Sequence, residues 1–276
     1  MNLLAVYKMY VSLRTQFVET IVQQCPGVDA NLLVEHALGG SLKFADAYVL
    51  WHYLQKHRPT QVLEVGSFLG FSSRWLLECG REWGLYVTAV DPNIRHRVFN
   101  RPRDILQAYN GQYCGKQLEV ITAFLGEFGG SVDWHYKKEI AKNPSFRDEL
   151  LASRPVIDAN WERRFDFIFI DGDHSYASAR NNFEICLQLL APGGVITMHD
   201  AITWPGVAQF MRELREAYAG KAHVDVIEGR YVFEHPAVAV ECVQDVDGIG
   251  VFCQEADSRA KMSMTTSGTG GPRGGR

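Results

Sequence analysis

The chain has 276 residues, 46% apolar, 22% charged and 12% aromatic, which excludes a disordered chain, a collagen-like one and a disulfide-stapled miniprotein. With 28 basic against 32 acidic residues the net charge is −4, so no basic surplus points to a nucleic-acid partner. Cysteines at positions 25, 79, 114, 186, 242 and 253 form no CxxC and no close pairs, which predicts free thiols in a reducing cytosol, not a disulfide framework or a zinc knuckle.

The N-terminal stretch MNLLAVYKMYVSLRTQF breaks its apolar run with polar and basic residues, unlike a signal peptide. No stretch of the chain approaches about 18 uncharged apolar residues. A soluble, cytoplasmic protein with no membrane partner is expected. Residues 1–57 read as a helical cap. Apolar positions recur at helical spacing over Leu3–Val22 and Phe44–Leu54, with breaks at Pro26-Gly27 and Gly39-Gly40-Ser41. The apolar N-terminal helices offer a surface for homo-oligomers.

From Gln61 the period changes. The runs 62–66, 85–91, 118–122, 165–171 and 194–200 are short, apolar and β-rich, and they suit strands buried on both faces of a parallel sheet. Ser72–Trp83 and Ser178–Leu190 are amphipathic and helix-length. Strands alternating with helices predict a doubly wound, Rossmann-like α/β sheet. Gly206–Tyr218 reads as a further helix, and 223–229 and 248–254 as two final strands, seven in all. Residues 123–164 exceed a simple crossover and are expected to form an inserted lid. Residues 58–256 then make one cofactor-binding domain. Residues 257–276, ending SGTGGPRGGR, are expected to be a disordered tail.

The segment Glu64-Val65-Gly66-Ser67-Phe68-Leu69-Gly70-Phe71-Ser72-Ser73 follows a strand and opens a helix. Gly66 permits a tight turn, and Gly70 is expected to let the backbone approach a ligand. Ser72 or Ser73 is placed to cap the helix and leave its amides facing the site. The spacing is Gly-x-x-x-Gly, neither a dinucleotide fingerprint nor a P-loop. Asp91 ends the second strand, where a carboxylate can accept both hydroxyls of a ribose. Glu64 beside the turn repels phosphate and favours a cation. An adenosine-bearing cofactor with an ammonium and a sulfonium fits that charge pattern.

On these residues the chain resembles the class I S-adenosylmethionine-dependent methyltransferases over residues 40–255. The resemblance implies that Glu64, Gly66 and Ser67 line the methionine end and that Asp91 holds the ribose. Gly70, Ser72 and Asp171 complete the expected cofactor-binding set.

Two more strands end in Asp171-Gly172-Asp173-His174-Ser175-Tyr176 and His199-Asp200. Ligands of open α/β sheets bind at such strand ends, and adjacent strands lie about 4.8 Å apart. Asp171 and Asp200 can therefore meet around one hard divalent cation, magnesium above all, while a third ligand from His199 moves the preference toward a transition metal. FIDGDHSY followed by LLAPGGVITMHD is similar to the small-molecule O-methyltransferases of the cephalosporin-hydroxylase and macrolide-sugar type. That resemblance implies magnesium on Asp171 and Asp200, with His199 where an acidic residue often stands. It also implies a general base at His174, with Asp173 in reserve. The expected reaction is methylation of a small-molecule hydroxyl on a sugar, polyol or catechol. The cation lowers the hydroxyl's pKa and a neutral His174 takes its proton. Two alternatives stand beside it: an N-methyltransferase, which needs no metal, and a non-catalytic S-adenosylmethionine-binding partner subunit.

Overall fold

The computed structural model describes residues 2–126, 130–228 and 246–254, apart from the side chains of 130–131. Three helices come first: α1 (Leu3–Gln24), α2 (Ala30–Gly39) and α3 (Phe44–His57). The α/β part follows as β1 (Gln61–Val65), α4 (Phe71–Cys79), β2 (Tyr86–Asp91), α5 (Pro102–Tyr109) and β3 (Leu118–Thr122). The next stretch holds β4 (Phe124–Leu125), α6 (Gly130–His135), α7 (Lys137–Lys142), α8 (Ser145–Ala152) and β5 (Val156–Ile157). Last come β6 (Phe165–Ile170), α9 (Tyr176–Leu189), β7 (Leu190–Met198), α10 (Pro205–Ala217), β8 (Ala222–Ile227) and β9 (Ile249–Gln254). The tail expected at 257–276, and the last residue of the strand expected at 223–229, lie outside the described residues.

Seven strands form one sheet in the order β3-β2-β1-β6-β7-β9-β8. All neighbours are parallel except the pairs that β9 makes with β7 and β8. The direction of winding reverses between β1 and β6, which opens a crevice at the carboxyl ends of the strands. Register aligns those ends, with Val65 beside both Val90 and Ile170, and Ile170 beside Met198.

Strand periodicity divides the core. Val62, Val87, Ala89, Phe167 and Phe169 face the layer made by α1, α3, α4 and α5. Their alternates Leu63, Val65, Val90, Ile168 and Ile170 face α9 and α10. Successive side chains of a strand point to opposite faces, so both sets are apolar only because both faces are covered. The apolar stripe of α1, made of Val6, Tyr10, Leu13, Phe17 and Ile21, is buried in the first layer. That stripe is spent inside the chain, while Val11 and Val22 of α1 and Leu32 of α2 stay exposed. Helix α5, which the strand pattern leaves unassigned, begins with Pro102 in its first turn and buries Ile105, Leu106 and Tyr109, a start that proline's fixed φ favours.

The segment expected as a lid contains α6 to α8 between the two strands of a small parallel sheet, β4 with β5. Val132 sits in a separate apolar cluster with Ile94 and Phe124, against which Tyr136, Ile140, Leu150 and Leu151 pack. No helix among the described residues is long and apolar enough to cross a membrane, and the five described cysteines are free thiols.

Candidate active site

The turn after β1 is pulled tight against its neighbours. Gly66 has φ +87° and donates its N–H to the Val90 carbonyl at 2.9 Å. The Asp171 N–H reaches the Val65 carbonyl at 2.8 Å, and the His199 N–H reaches the Ile170 carbonyl at 2.9 Å. The exits of β1, β6 and β7 are thereby stitched together around one floor. Phe68 takes a left-handed φ of 44° and donates its N–H to Asp91 at 3.0 Å, while the Asn93 N–H donates to the other Asp91 oxygen at 2.7 Å. Burial pushes the Asp91 pKa up, against the N–H donors of Phe68, Asn93 and Ser67. The Ser67 hydroxyl is buried without a hydrogen-bond partner and faces the cavity.

Gly70 lines the cavity, and a Cβ there would lie 2.6 Å from both Leu106 and Asn110, so its missing side chain also makes room for the end of α5. Two expectations for this turn are corrected. The N-cap of α4 is Gly70 itself, in the left-handed region, not Ser72 or Ser73. Glu64 does not line the cavity. It shares the strand face of Val62, which points under α4, and it is fully buried. The Ser73 hydroxyl donates to its carboxylate, and its other oxygen has no hydrogen-bond partner.

Burial raises the Glu64 pKa to about 7 despite its bonds to Ser72 and Ser73, with Asp171 and Asp91 pushing in the same direction. An acid whose folded pKa is raised contributes stability below its unfolded pKa and loses it as pH rises through the folded value. Glu64 should therefore weaken the fold progressively between pH 4.5 and pH 7. Glu64→Gln, which mimics the protonated acid, is expected to be neutral near pH 4 and to stabilise by about 3 kcal/mol at pH 8. Denaturant melts at the two pH values check this.

The strand ends after β6 and β7 carry the charge. His174 Nε2 lies 2.7 Å from Asp200 Oδ2 and 3.8 Å from Asp171 Oδ1. His199 Nδ1 lies 3.1 Å from Asp171 Oδ1 and 3.6 Å from Asp200 Oδ2. On its other edge, His199 Nε2 faces Asp46 Oδ2 at 3.5 Å and Asp247 Oδ2 at 3.9 Å. The expected set of Asp171, His199 and Asp200 is thus brought together. Among the described residues, two groups of donor atoms lie within 4.8 Å of one another and divide the set differently, as Asp171-His174-Asp200 and Asp46-His199-Asp247.

Asp46 and Asp247 are absent from the expected site. Asp46 was legible: it precedes Val49, Leu50 and Tyr53 at helical spacing on the buried stripe of α3, where an acid needs a partner. Asp247 had no such signal, because it lies on the approach to β9. Asp173 lines the cavity but shapes the turn, accepting the Ser175 N–H at 2.9 Å, while Ser175 caps α9.

Burial opposes a charge on His174, but Asp171 and Asp200 outweigh it and raise its pKa to about 9. Beside these two carboxylates the imidazole holds its proton at pH 7. Burial likewise opposes the charge on His199, yet Asp171, Asp46 and Asp200 raise its pKa well above the usual histidine value. Asp171 is held well below the ordinary carboxylate range, because His199 and His174 outweigh its burial.

Above this floor is a cavity of about 1830 Å³. Single small-molecule pockets occupy roughly 300–1,000 Å³, so there is room for a cofactor and an acceptor together. Its walls include Phe17 of α1, the 39–42 turn, the 94–98 loop, and Trp134 and His135 of α6. Trp204 packs on the His174 ring with centroids 4.7 Å apart. Trp161 packs on Phe165. Tyr136 is spent on Phe146 and on accepting the Arg95 N–H at 2.8 Å.

A seven-stranded sheet wound in this order, with a glycine turn after its first strand and an acid ending its second, defines a class I methyltransferase fold. Residues 63–201, half of the chain, match the family model described as a methyltransferase domain. The chain belongs to that family and is an S-adenosylmethionine-dependent methyltransferase. Among solved structures it is similar to the O-methyltransferase TomG of Streptomyces achromogenes, involved in tomaymycin synthesis and crystallised with S-adenosylmethionine. That likeness is at 16% identity and TM-score 0.50, over 88% of this chain and 89% of the other. It is also similar to the methyltransferase PaMTH1 of Podospora anserina bound to S-adenosylhomocysteine, at 14% identity and TM-score 0.50 over 88% of each chain. No curated protein matches the chain in sequence.

Proposed function

We propose that the protein is a divalent-metal-assisted O-methyltransferase acting on a hydroxyl of a small molecule, with a sugar, polyol or catechol as acceptor. The observation that carries this reading is the cluster of Asp171, His174, His199 and Asp200 on the cavity floor, backed by Asp46 and Asp247. Among the described residues, four carboxylates face two imidazoles there, and Lys43 adds a more distant positive charge at Asp247. Buried charge must be compensated, and an oxygen-rich donor set with one or two imidazole nitrogens fits a divalent cation. The unpartnered Ser67 hydroxyl beside Asp91 likewise fits a polar cofactor at the glycine turn. O-methyl transfer is also the activity named for TomG.

When bound, S-adenosylmethionine supplies an electrophilic methyl and a divalent cation supplies the charge that acidifies a hydroxyl. The chain supplies the rest. Asp91 keeps free lone pairs for a ribose beside those used by Phe68 and Asn93. Asp171 and Asp200 would hold the cation and, in doing so, cease to hold the proton on His174. His174 is then free to take the proton of the acceptor hydroxyl, with Asp173 the adjacent carboxylate in the cavity wall. Trp204, packed on His174, limits its rotation, and restricted orientation is itself a large part of such rate gains.

Calorimetric titration with S-adenosylmethionine, in magnesium and then in EDTA, tests the reading. Micromolar binding is expected for the native protein, and a loss of at least about 100-fold for Asp91→Ala, equivalent to two charge-assisted hydrogen bonds. Turnover on sugars and catechols should disappear in EDTA and return with added cation. Turnover undiminished by chelation would favour N-methylation. Tight binding with no turnover on any hydroxyl would favour a non-catalytic subunit.

A further inference from the structure

Two parts of the cavity wall carry opposite charge. Asp91, Asp171, Asp173 and Asp200 come from the strand ends, whereas Arg97, Lys137 and Lys138 line the side where the 94–98 loop meets the inserted segment. That junction is closely made. The Arg95 guanidinium pairs with Glu139 at 2.8 Å and donates to the His135 carbonyl at 3.0 Å, and its N–H reaches the Tyr136 hydroxyl at 2.8 Å. His96 Nδ1 lies 2.9 Å from His135 Nε2, so the two rings bond each other. Burial first, then the neighbouring His135 and Arg97, push the His96 pKa down to about 4. Burial and Arg95 lower that of His135, against the pull of Asp173. Both imidazoles are neutral at pH 7, and the unpaired charge of this side belongs to Arg97, Lys137 and Lys138.

Arg97 is the cation that the fold explains least. It holds a left-handed φ of 52°, which its Cβ disfavours. Among the described residues it makes no ion pair or hydrogen bond that offsets this, and Lys137 and Lys138 have no carboxylate partner either. The side chain is exposed and stands beside the 39–42 turn, with Nη1 3.4 Å from the place of a Cβ on Gly39. Phe68 and Asp200 are left-handed too and line the same cavity, and such strain concentrates at binding and catalytic sites.

We propose that Arg97, supported by Lys137 and Lys138, binds an anionic group of the acceptor, a carboxylate or a phosphate, so that the substrate is an acidic hydroxyl compound and not a neutral one. The inference rests on the O-methylation reading for where the hydroxyl goes. A guanidinium offers two parallel N–H donors that match two oxygens of a carboxylate or phosphate, and lysines add point charges. A neutral sugar or plain catechol gives these cations nothing to hold. The acids of the floor repel the same anion, so the acceptor has one orientation: anion against the 94–98 loop and α7, hydroxyl toward the strand ends.

Calorimetry on the full chain loaded with S-adenosylhomocysteine and magnesium tests this with matched probes: 3,4-dihydroxybenzoate against its amide, and glucose 6-phosphate against glucose. The anionic member of at least one pair is expected to bind at least about tenfold more tightly, equivalent to one charge-assisted contact. That preference should fall to within about threefold in Arg97→Gln and shrink in the double variant Lys137→Gln, Lys138→Gln. Arg81→Gln, which removes an exposed cation outside the cavity, should keep it. Binding of S-adenosylhomocysteine reports that each variant is folded. Equal affinity within both pairs, a preference that survives Arg97→Gln, or no binding of any probe, inorganic phosphate included, at millimolar concentration overturns the proposal. An Arg97-dependent preference without methyl transfer to any probe from S-adenosylmethionine would count against the O-methylation reading and leave the anion subsite standing. Turnover of neutral and anionic members with equal kcat/KM would do the reverse.

Discussion

Gly66→Ala is expected to lose at least about 4 kcal/mol of stability, in the range that marks a single severe defect, together with at least about 100-fold in S-adenosylmethionine affinity. A Cβ on Gly66 would stand 2.1 Å from the Asp171 carbonyl oxygen, 2.6 Å from its carbon and 2.8 Å from the Gly172 Cα. All three are backbone atoms, so no rotamer change relieves the contact. The turns cannot separate cheaply either, because the Asp171 N–H on Val65 and the Gly66 N–H on Val90 hold them. The left-handed φ of +87° adds about 1–2 kcal/mol for any residue with a Cβ. Gly84→Ala is the control, since Gly84 has φ +72° and nothing within 4 Å of an added Cβ. It should cost only that 1–2 kcal/mol, roughly, and leave cofactor binding intact. Denaturant melts and calorimetry on both variants make the comparison, and similar results for the two would refute the close-approach argument.

Asp171→Asn is the second large effect. Asp171 touches both imidazoles of the floor, and removing one partner of a buried ion pair costs about 3–5 kcal/mol, because the remaining charge is stranded. A carboxylate whose folded pKa is depressed contributes stability above its unfolded pKa, and that stability disappears as pH falls through the folded value. The two histidines have raised folded pKa values, so their share is complete below the unfolded histidine value and is lost as pH rises, through about 9 for His174. The native protein should therefore exceed Asp171→Asn in stability most clearly between about pH 4 and 6.5, where both partners are charged in either state. The difference should shrink toward pH 2 and again above pH 9. Melts across that range test the window. Cation titrations of the same variant should show a loss of at least about 100-fold if Asp171 is a ligand.

The sites that matter were legible to different degrees, for reasons visible in particular residues. Asp91, Asp171 and Asp200 announced themselves by ending apolar strands, and parallel strands in register bring such ends into one crevice. Gly66 was legible as a turn residue, although the nature of its constraint was not: the atom it avoids belongs to Asp171, more than a hundred positions away. Gly70 had the same local look and a further reason, since its missing side chain makes room for Leu106 of α5 and for Asn110 just after it. Glu64 was misplaced because proximity in sequence to the turn says nothing about which sheet face a side chain takes. Strand parity put it with Val62 under α4, and burial turned a supposed cation contact into a weakly acidic, serine-bonded group. His174 was found by its place in FIDGDHSY, but its protonation follows from the 2.7 Å approach to Asp200.

By itself the sequence determined the doubly wound sheet, the strand ends that carry the acids, and membership of a methyltransferase class. These rest on periodicity and turn chemistry, which are local and repeat along the chain. Only the tertiary structure decided that the α1 stripe is spent inside the chain, that Asp46 on α3 backs His199, and that Asp247 joins it from the approach to β9. Those relations depend on how the helical layer docks across the sheet, and a one-dimensional pattern carries no distance between residues 46, 199 and 247.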